Sequence, residues 1–329
     1  MAKSSLELLK KAKKVERERQ VDNKNDRWAS YKPYHINVSS QQIGGYVLLP
    51  GDPGRVDKII AEMVERGGKV EKIGDNTLDY VLKREYKTMT CILDGERVSC
   101  TSTGIGGPAT SIAVEELMQI GAHTLIRVGS TGAIHKNIKL GDVIITSAAV
   151  RIDGASGHYA PYEYPASAHP VALLALIDAA YNLSKGKSWT YHVGITVASD
   201  TFYPGQCRED SFSGYVPLRF KGTLEEWQRL NVLNYEMESS TLYTMGNVLG
   251  ARTGCVLGVI VNRQTGETPD ASKVDEYTKR AVEVGVEGIR TLIKWDREQK
   301  IELSIDNKWN PNELLCKKLL EKYKARNRK

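Results

Sequence analysis

From about residue 45 the chain alternates short apolar, β-branched runs with helix-patterned stretches, and this alternation limits the possible folds more than any other feature. "YVLLPG", "RVSCTST", "TLIRVGST", "DVIITSAAV", "YHVGITVASD" and "CVLGVIVNR" are Val/Ile-rich and bounded by Gly or polar residues, the pattern of buried strands. Between them "PATSIAVEELMQIG", "HPVALLALIDAAYNL", "SSTLYTMGNVLG" and "VDEYTKRAVEVGVEGIRTLIKWDREQ" read as helices. Pro108 falls in a predicted first turn, where no N–H is needed, and Gly121 just past a helix end. Strands alternating with helices predict an α/β fold with a central mixed sheet flanked by helices. The sequence shows no tandem repeat and no low-complexity linker, so its 329 residues read as one domain, 34–296, with basic extensions at 1–33 and 297–329.

The net charge of +6 raises the question of nucleic acid, and its distribution argues against one. Residues 1–27 hold nine Lys/Arg against five Asp/Glu, and residues 296–329 hold ten against six. Removing those eight charges leaves about −2 for everything between, whereas a nucleic-acid module carries its basic stripe across the core. The tails, "LLKKAKKVERERQ" and "NELLCKKLLEKYKARN", read as exposed amphipathic helices, with tethering to RNA or an acidic partner as the alternative. No apolar run spans a bilayer, and the opening residues lack the apolar segment of a secretory signal, so a cytoplasmic protein away from membranes is expected. The five cysteines are scattered without a C-x-x-C pair, which argues against a zinc cage or a disulfide framework.

Polar chemistry gathers where predicted strands end, the place ligands favour in such sheets. "YVLLPGDPGRV" carries Gly51 and Arg55, and "STGIGGPATS" sets Gly104, Gly106 and Gly107 before a helix start. Arg127 lies inside an apolar strand followed by Gly129-Ser130-Thr131-Gly132, read as a turn whose bare N–H groups and hydroxyls form an anion nest. A buried arginine needs an answering anion, either an internal carboxylate or a bound one. Two glycine-and-arginine sites in one sheet point to a single oxyanion, most simply phosphate. Neither matches the phosphate-loop or dinucleotide pattern, which sets aside nucleoside triphosphates and dinucleotides.

In "NYEMESS", Glu236 and Glu238 flank Met237 where a strand gives way to a helix; they either favour the helix dipole or accept hydrogen bonds from sugar hydroxyls. In "SDTFYPGQCRED", Gln206 and Arg208 stand two apart, which on an extended segment makes a flat hydrogen-bonding fork suited to a flat polar ligand. Phosphate, a vicinal diol and a flat amide-like heterocycle together describe a nucleoside and inorganic phosphate.

These motifs, with "IRVGSTGAI", "GDVIITSAAVRIDGAS" and "GVIVNR", occur in the order and with the spacing of a known family: from about Tyr34 to Leu292 the chain closely resembles the hexameric-type nucleoside phosphorylases, on the uridine-cleaving side of that family. The resemblance implies a single-domain nucleoside phosphorylase-like fold and the reversible reaction of uridine with phosphate to give uracil and ribose 1-phosphate. It places Gly51, Arg55, Arg127 and Ser130 on phosphate, with Arg84 reaching phosphate across a subunit interface and His35 offered by a neighbour to the ribose 5'-hydroxyl. Met237 and Glu238 match ribose contacts, Phe202 an aromatic packed on the base, Gln206 and Arg208 the pair that reads uracil, and Arg263 an arginine behind the same edge. A homo-oligomer with shared sites, at least a dimer, follows. Neither a metal nor an organic cofactor is expected in the chemistry.

Where purine-cleaving members carry a Ser-Asp pair after the last core strand, this chain reads Val261-Asn262-Arg263, which offers no acid to protonate a purine. The alternatives are a purine nucleoside phosphorylase or nucleosidase, and a non-catalytic nucleoside-binding relative. Ser130 stands where the bacterial members have threonine, and Ala109 where they use a serine at an interface cation, while Glu85 is kept; the cation is left open. "RGGKVEKIGDNTLDYVLKREY" is longer than its bacterial counterpart and precedes Arg84.

Overall fold

The computed structural model describes residues 30–73, 78–266 and 269–299. The two predicted tail helices lie outside the described residues. The rest is a mixed sheet covered on both faces. In chain order its elements are β1 (Tyr46–Leu49), α1 (Pro53–Glu65), β2 (Lys69–Glu71), β3 (Tyr80–Lys83), β4 (Tyr86–Leu93), β5 (Glu96–Thr101), α2 (Gly107–Gln119), β6 (Thr124–Ala133), β7 (Val143–Ile152), β8 (Ala166–Ser167), α3 (Pro170–Ser184), β9 (Tyr191–Ser199), α4 (Thr223–Arg229), β10 (Val232–Glu236), α5 (Ser239–Leu249), β11 (Arg252–Asn262) and α6 (Val274–Gln299). Helices α1, α3 and α6 bury their apolar faces on one side of the sheet, and α2 with α5 on the other. Helix α6 runs unbroken past residue 296, where the sequence placed the start of the C-terminal extension.

The sheet runs β10-β9-β7-β11-β6-β1-β5-β4-β2, and β10 also pairs with β6. Five strands therefore close into a ring, β6-β11-β7-β9-β10, from which β1, β5, β4 and β2 extend as an open wing. Strand β6 belongs to both. Its first half pairs with β1 as far as Leu49 opposite Arg127, and its far end pairs with antiparallel β10, Tyr235 opposite Gly132. β1 and β10 thus approach each other end to end along one edge of β6 and leave residues 128–131 between them. This is the switch point of the sheet, where loops from several strands converge.

Glycines mark the closest approaches within the layers. A Cβ on Gly285 would lie 2.7 Å from Val128 Cγ2, and one on Gly288 2.7 Å from Leu176 Cδ2, so α6 accepts helix-weakening residues in order to lie flat on the sheet and on α3. Helix α1 begins at Pro53, with Asp52 capping the Gly54 N–H at 2.8 Å.

At the opposite end of the sheet, Arg252 donates to both oxygens of Asp296 at 2.9 and 2.7 Å and to Thr124 Oγ1 at 2.9 Å, while Tyr46 Oη donates to Asp296 at 2.6 Å. This buried bidentate pair fastens α6 to the first residues of β1, β6 and β11. Burial, reinforced by Arg252 and opposed by Asp296, pushes nearby His123 and His169 down to about 4.

Two outcomes follow. Asp296→Ala strands the Arg252 charge and should lower stability by about 3–5 kcal/mol, read from the urea unfolding midpoint. The two histidines stay neutral in the fold while the unfolded chain takes up protons below about 6.5. Their stabilisation is therefore complete above that pH and lost as pH falls towards about 4, at roughly 1.4 kcal/mol per pH unit for each group. Replacing both with Asn should flatten that limb of the stability profile.

Candidate active site

The switch point carries a buried charge cluster. Arg127, 6% exposed on β6, donates through Nε to Glu236 at 2.8 Å and through Nη2 to Glu238 at 2.5 Å. Its remaining nitrogen, Nη1, faces Gly51, where a Cβ would stand 4.0 Å away. Arg127 is thus answered from inside, by both glutamates. Burial alone would lower its guanidinium, but Glu238 and Glu236 outweigh that and hold it above its ordinary range.

Glu236 and Glu238 divide the work. Glu236 is saturated, accepting from the Glu238 N–H at 2.9 Å and from the Ser239 N–H and hydroxyl at 2.9 and 2.5 Å, so it closes the first turn of α5 as well as holding Arg127. Glu238 accepts from the Gly106 N–H at 2.6 Å, which ties it to the start of α2. Burial pushes Glu238 up to about 7; the charge of Arg127 opposes that rise and Glu236 adds to it. The residue pattern singled out the pair and the resemblance put Glu238 alone on ribose, but nothing in "EMES" says that Glu236 turns back into the helix.

The Gly129-Ser130-Thr131-Gly132 stretch is not a turn. It is continuous strand, the second half of β6. Gly129 has a different purpose: a Cβ there would lie 2.7 Å from Arg127 Nη2, so the glycine gives the guanidinium room to fold back over its own strand. Thr131 is structural, donating to Tyr235 O at 2.6 Å and accepting from Asn234 Nδ2 at 2.7 Å. Ser130, half-buried, alternates to the face opposite Arg127.

Arg55, on α1, closes that edge, its Nη1 donating to Val128 O at 3.4 Å. Burial and then the neighbouring Arg127 charge hold its guanidinium below the usual value, an environment that favours a bound anion. Gly51 lies against Gly104, whose carbonyl oxygen would be 3.1 Å from a Cβ at position 51. Gly51 after β1, Arg55 on α1 and Arg127 on β6 therefore converge, three residues that the resemblance places on phosphate.

The second cluster starts beside the first, since β9 and β10 are parallel neighbours with Ala198 opposite Glu236. The loop after β9 is not extended as the fork argument required. Pro204–Gln206 form a 3-10 turn and Cys207 takes a left-handed backbone with φ of 53°. The turn aims the side chains instead: the Gln206 and Arg208 N–H groups both return to Tyr203 O, at 3.3 and 2.9 Å. Gln206 is 3% exposed, and the Arg208 guanidinium lies 4.2 Å over the Phe202 ring with its buried Nε lacking a protein partner. Arg263 grips this turn from behind, Nη1 donating to Gln206 O at 2.6 Å and Nη2 to Cys207 O at 3.3 Å. Burial lowers both Arg208 and Arg263, and the charge of Arg208 presses on Arg263. Beside them a groove of about 730 Å³ is lined by Arg208, Leu224, Val261, Arg263 and Pro269.

His35 and Arg84 form a third group. Glu116 accepts from the His35 and Ile36 N–H groups and meets His35 Nδ1 at 2.6 Å, which fixes the ring. Arg84 sits in the two-residue turn between β3 and β4, with a left-handed φ of 55° and its guanidinium 5.9 Å over the ring of Tyr34. These two residues, which the resemblance assigns to a neighbouring subunit's site, lie side by side on one surface. Glu116 was missed because a glutamate in "VEELMQ" reads as an ordinary helical surface residue. Met237, which the resemblance puts on ribose, is half-buried between the two glutamates. Among the described residues no group of three His, Cys, Asp or Glu is arranged to hold a metal ion.

Comparison with known proteins gives the family. A family model described as "Phosphorylase superfamily" matches residues 46–294. The chain is 47% identical over 262 residues to a uridine phosphorylase of Salmonella typhimurium, covering 79% of this chain and 98% of that protein. It is 43% identical over 278 residues to one of Thermococcus kodakarensis, covering 84% and 92%, and 32% identical over 250 residues to a guanosine phosphorylase of Halorubrum lacusprofundi, covering 76% and 92%. With a match that spans the whole sheet and relatives aligned over nearly their full length, the chain belongs to the phosphorylase superfamily.

Proposed function

We propose that this enzyme transfers a pentosyl group, splitting uridine with inorganic phosphate to give uracil and ribose 1-phosphate, reversibly. The observation that carries the reading is the placement of Arg127, Arg55 and Gly51 around the open edge of β6, with Glu238 on the same guanidinium and the Gln206–Arg208 turn rising from the adjacent strand. Phosphate held by Arg127 Nη1, Arg55, the Gly51 backbone and Ser130 attacks C1' as the glycosidic bond breaks. The bonding pair leaves with uracil, and positive charge builds on the sugar. The bound phosphate stabilises that charge from one face by position and electrostatics. Glu238 accepts from the ribose 2'- and 3'-hydroxyls beside Met237. Gln206 and Arg208 donate to the carbonyl oxygens that gather negative charge, and Phe202 covers the base. No metal or organic cofactor enters this scheme.

The purine reading lacks its acid. Asn262, 1% exposed, ends the last core strand, β11, and uses its amide to donate to His135 O and Ile138 O at 2.8 and 2.7 Å.

The same proposal makes the enzyme a homo-oligomer, at least a dimer, with Arg84 and His35 lent to a partner's site. Exposed Tyr34, Tyr80, Leu82 and Ile105, at 65, 41, 53 and 75%, supply an apolar surface around them. A cytoplasmic location belongs to the proposal too. It is supported by the free thiols at Cys91, Cys100, Cys207 and Cys255.

Uracil release from uridine should depend on added phosphate, with inosine and guanosine inert; turnover of inosine alone overturns the pyrimidine assignment. Gln206→Ala should lower kcat by on the order of 10²- to 10³-fold. Glu238 must be ionised to accept from the ribose, so kcat/KM should fall as pH drops below about 7. Glu238→Gln should be slower and should lack that part of the acid limb, leaving only the ionisation of phosphate itself.

A further inference from the structure

The two halves of the site stand on different elements, and one short segment holds both. After β7 the chain enters Asp153-Gly154. Asp153, 2% exposed, accepts from the Ser156 N–H at 2.7 Å and hydroxyl at 2.8 Å, and from the hydroxyls of Ser240 at 2.6 Å and Thr241 at 2.8 Å. Ser240 and Thr241 lie in the first turn of α5, two and three residues after Glu238. The next residue faces the other way: the Gly154 N–H donates to Asp200 Oδ2 at 2.6 Å, and Asp200 is the root of the loop that carries Phe202, Gln206 and Arg208.

We infer that Asp153-Gly154 is a positioning clamp, joining the ribose-binding end of α5 to the base-binding loop and so setting the distance between Glu238 and the Gln206–Arg208 turn. The inference rests on the phosphorolysis reading. Its chemistry follows from the bond being cut: sugar and base carry opposite charge in the transition state, so the groups that stabilise each must be held in mutual register. A misplacement of about 1 Å between such groups costs on the order of 10² in rate. A buried carboxylate saturated by four donors is suited to this, because each shift in its position breaks a charge-assisted bond. Neither Asp153 nor Asp200 needs to touch substrate.

The test uses the full-length enzyme with Asp200→Ala, Asp200→Asn, Asp153→Asn and Thr241→Val. Steady-state kcat with uridine and phosphate is compared with calorimetric affinities for uracil alone and for ribose 1-phosphate alone. Asp200 is exposed, so its replacement leaves the core intact. Asp200→Ala should lower kcat about 10- to 100-fold while each single ligand binds within about threefold of the wild type. Asp200→Asn, which keeps an oxygen for the Gly154 N–H, should recover most of the loss. Asp153→Asn and Thr241→Val should show the same split from the other side; if Asp153→Asn fails to fold, Thr241→Val and Asp200→Ala decide. Unchanged kcat in Asp200→Ala and Thr241→Val, or ligand affinities that fall in step with kcat, overturns the clamp. A wild type that releases no uracil from uridine and phosphate overturns the underlying reading instead.

Discussion

The structure turns on one buried guanidinium. Arg127 sits on the strand shared by the closed ring and the open wing, and a lone charge there would cost several kcal/mol to desolvate. Glu236 and Glu238 answer it, but they do so from the end of β10, so the pairing also fixes how β10 meets β6. The ion pair and the ring closure require each other. Without the return of β10 the arginine has no partner, and without the arginine two carboxylates would be buried within one turn of backbone.

Charge is distributed unevenly across this centre. Arg127 is balanced by carboxylates, whereas Arg55, Arg208 and Arg263 are each depressed first by burial, with like charges adding to it at Arg55 and Arg263. Guanidiniums held in that state favour ligands rich in electrons, which in the proposed reaction are a phosphate at one end and ring carbonyls at the other. Rigidity serves the same purpose. Arg263 pins the Gln206 turn by its carbonyls, Glu236 pins the α5 turn by its N–H groups, and Asp153-Gly154 bridges them. Groups aimed in advance need no reorganisation when charge develops, which is the main source of rate enhancement in reactions without a covalent intermediate.

How far the residues alone reveal this depends on whether the relevant contact is local. The strands from "YVLLPG" to "CVLGVIVNR" and helix α6 were legible because burial on a sheet or helix imposes a period of 2 or 3.6 that survives in any window of ten residues. Strands β2, β3 and β4 were not: β2 and β3 are short and partly exposed, and "YKTMTCIL" is mostly buried but mixes polar and apolar residues without a clean period. Gly-Ser-Thr-Gly read as a turn because those residues favour turns; tertiary pairing with β10 and β11 overrode that preference. The Gln206–Arg208 pair was found through an assumed extended backbone, yet a 3-10 turn and a left-handed Cys207 place it.

By itself the sequence determined the layer architecture and the strand ends where polar chemistry collects, and through its resemblance it named the candidate groups for the site. Only the tertiary structure decided which glutamate holds Arg127's Nε and caps α5, why residue 129 must be glycine, that Glu116 orients His35, and that residues 153 and 154 link the two halves of the pocket. The physical reason is range: periodicity is written by neighbours a few residues apart, whereas a buried charge chooses its partners among groups a hundred residues away, and only the closed sheet brings those groups within hydrogen-bonding distance.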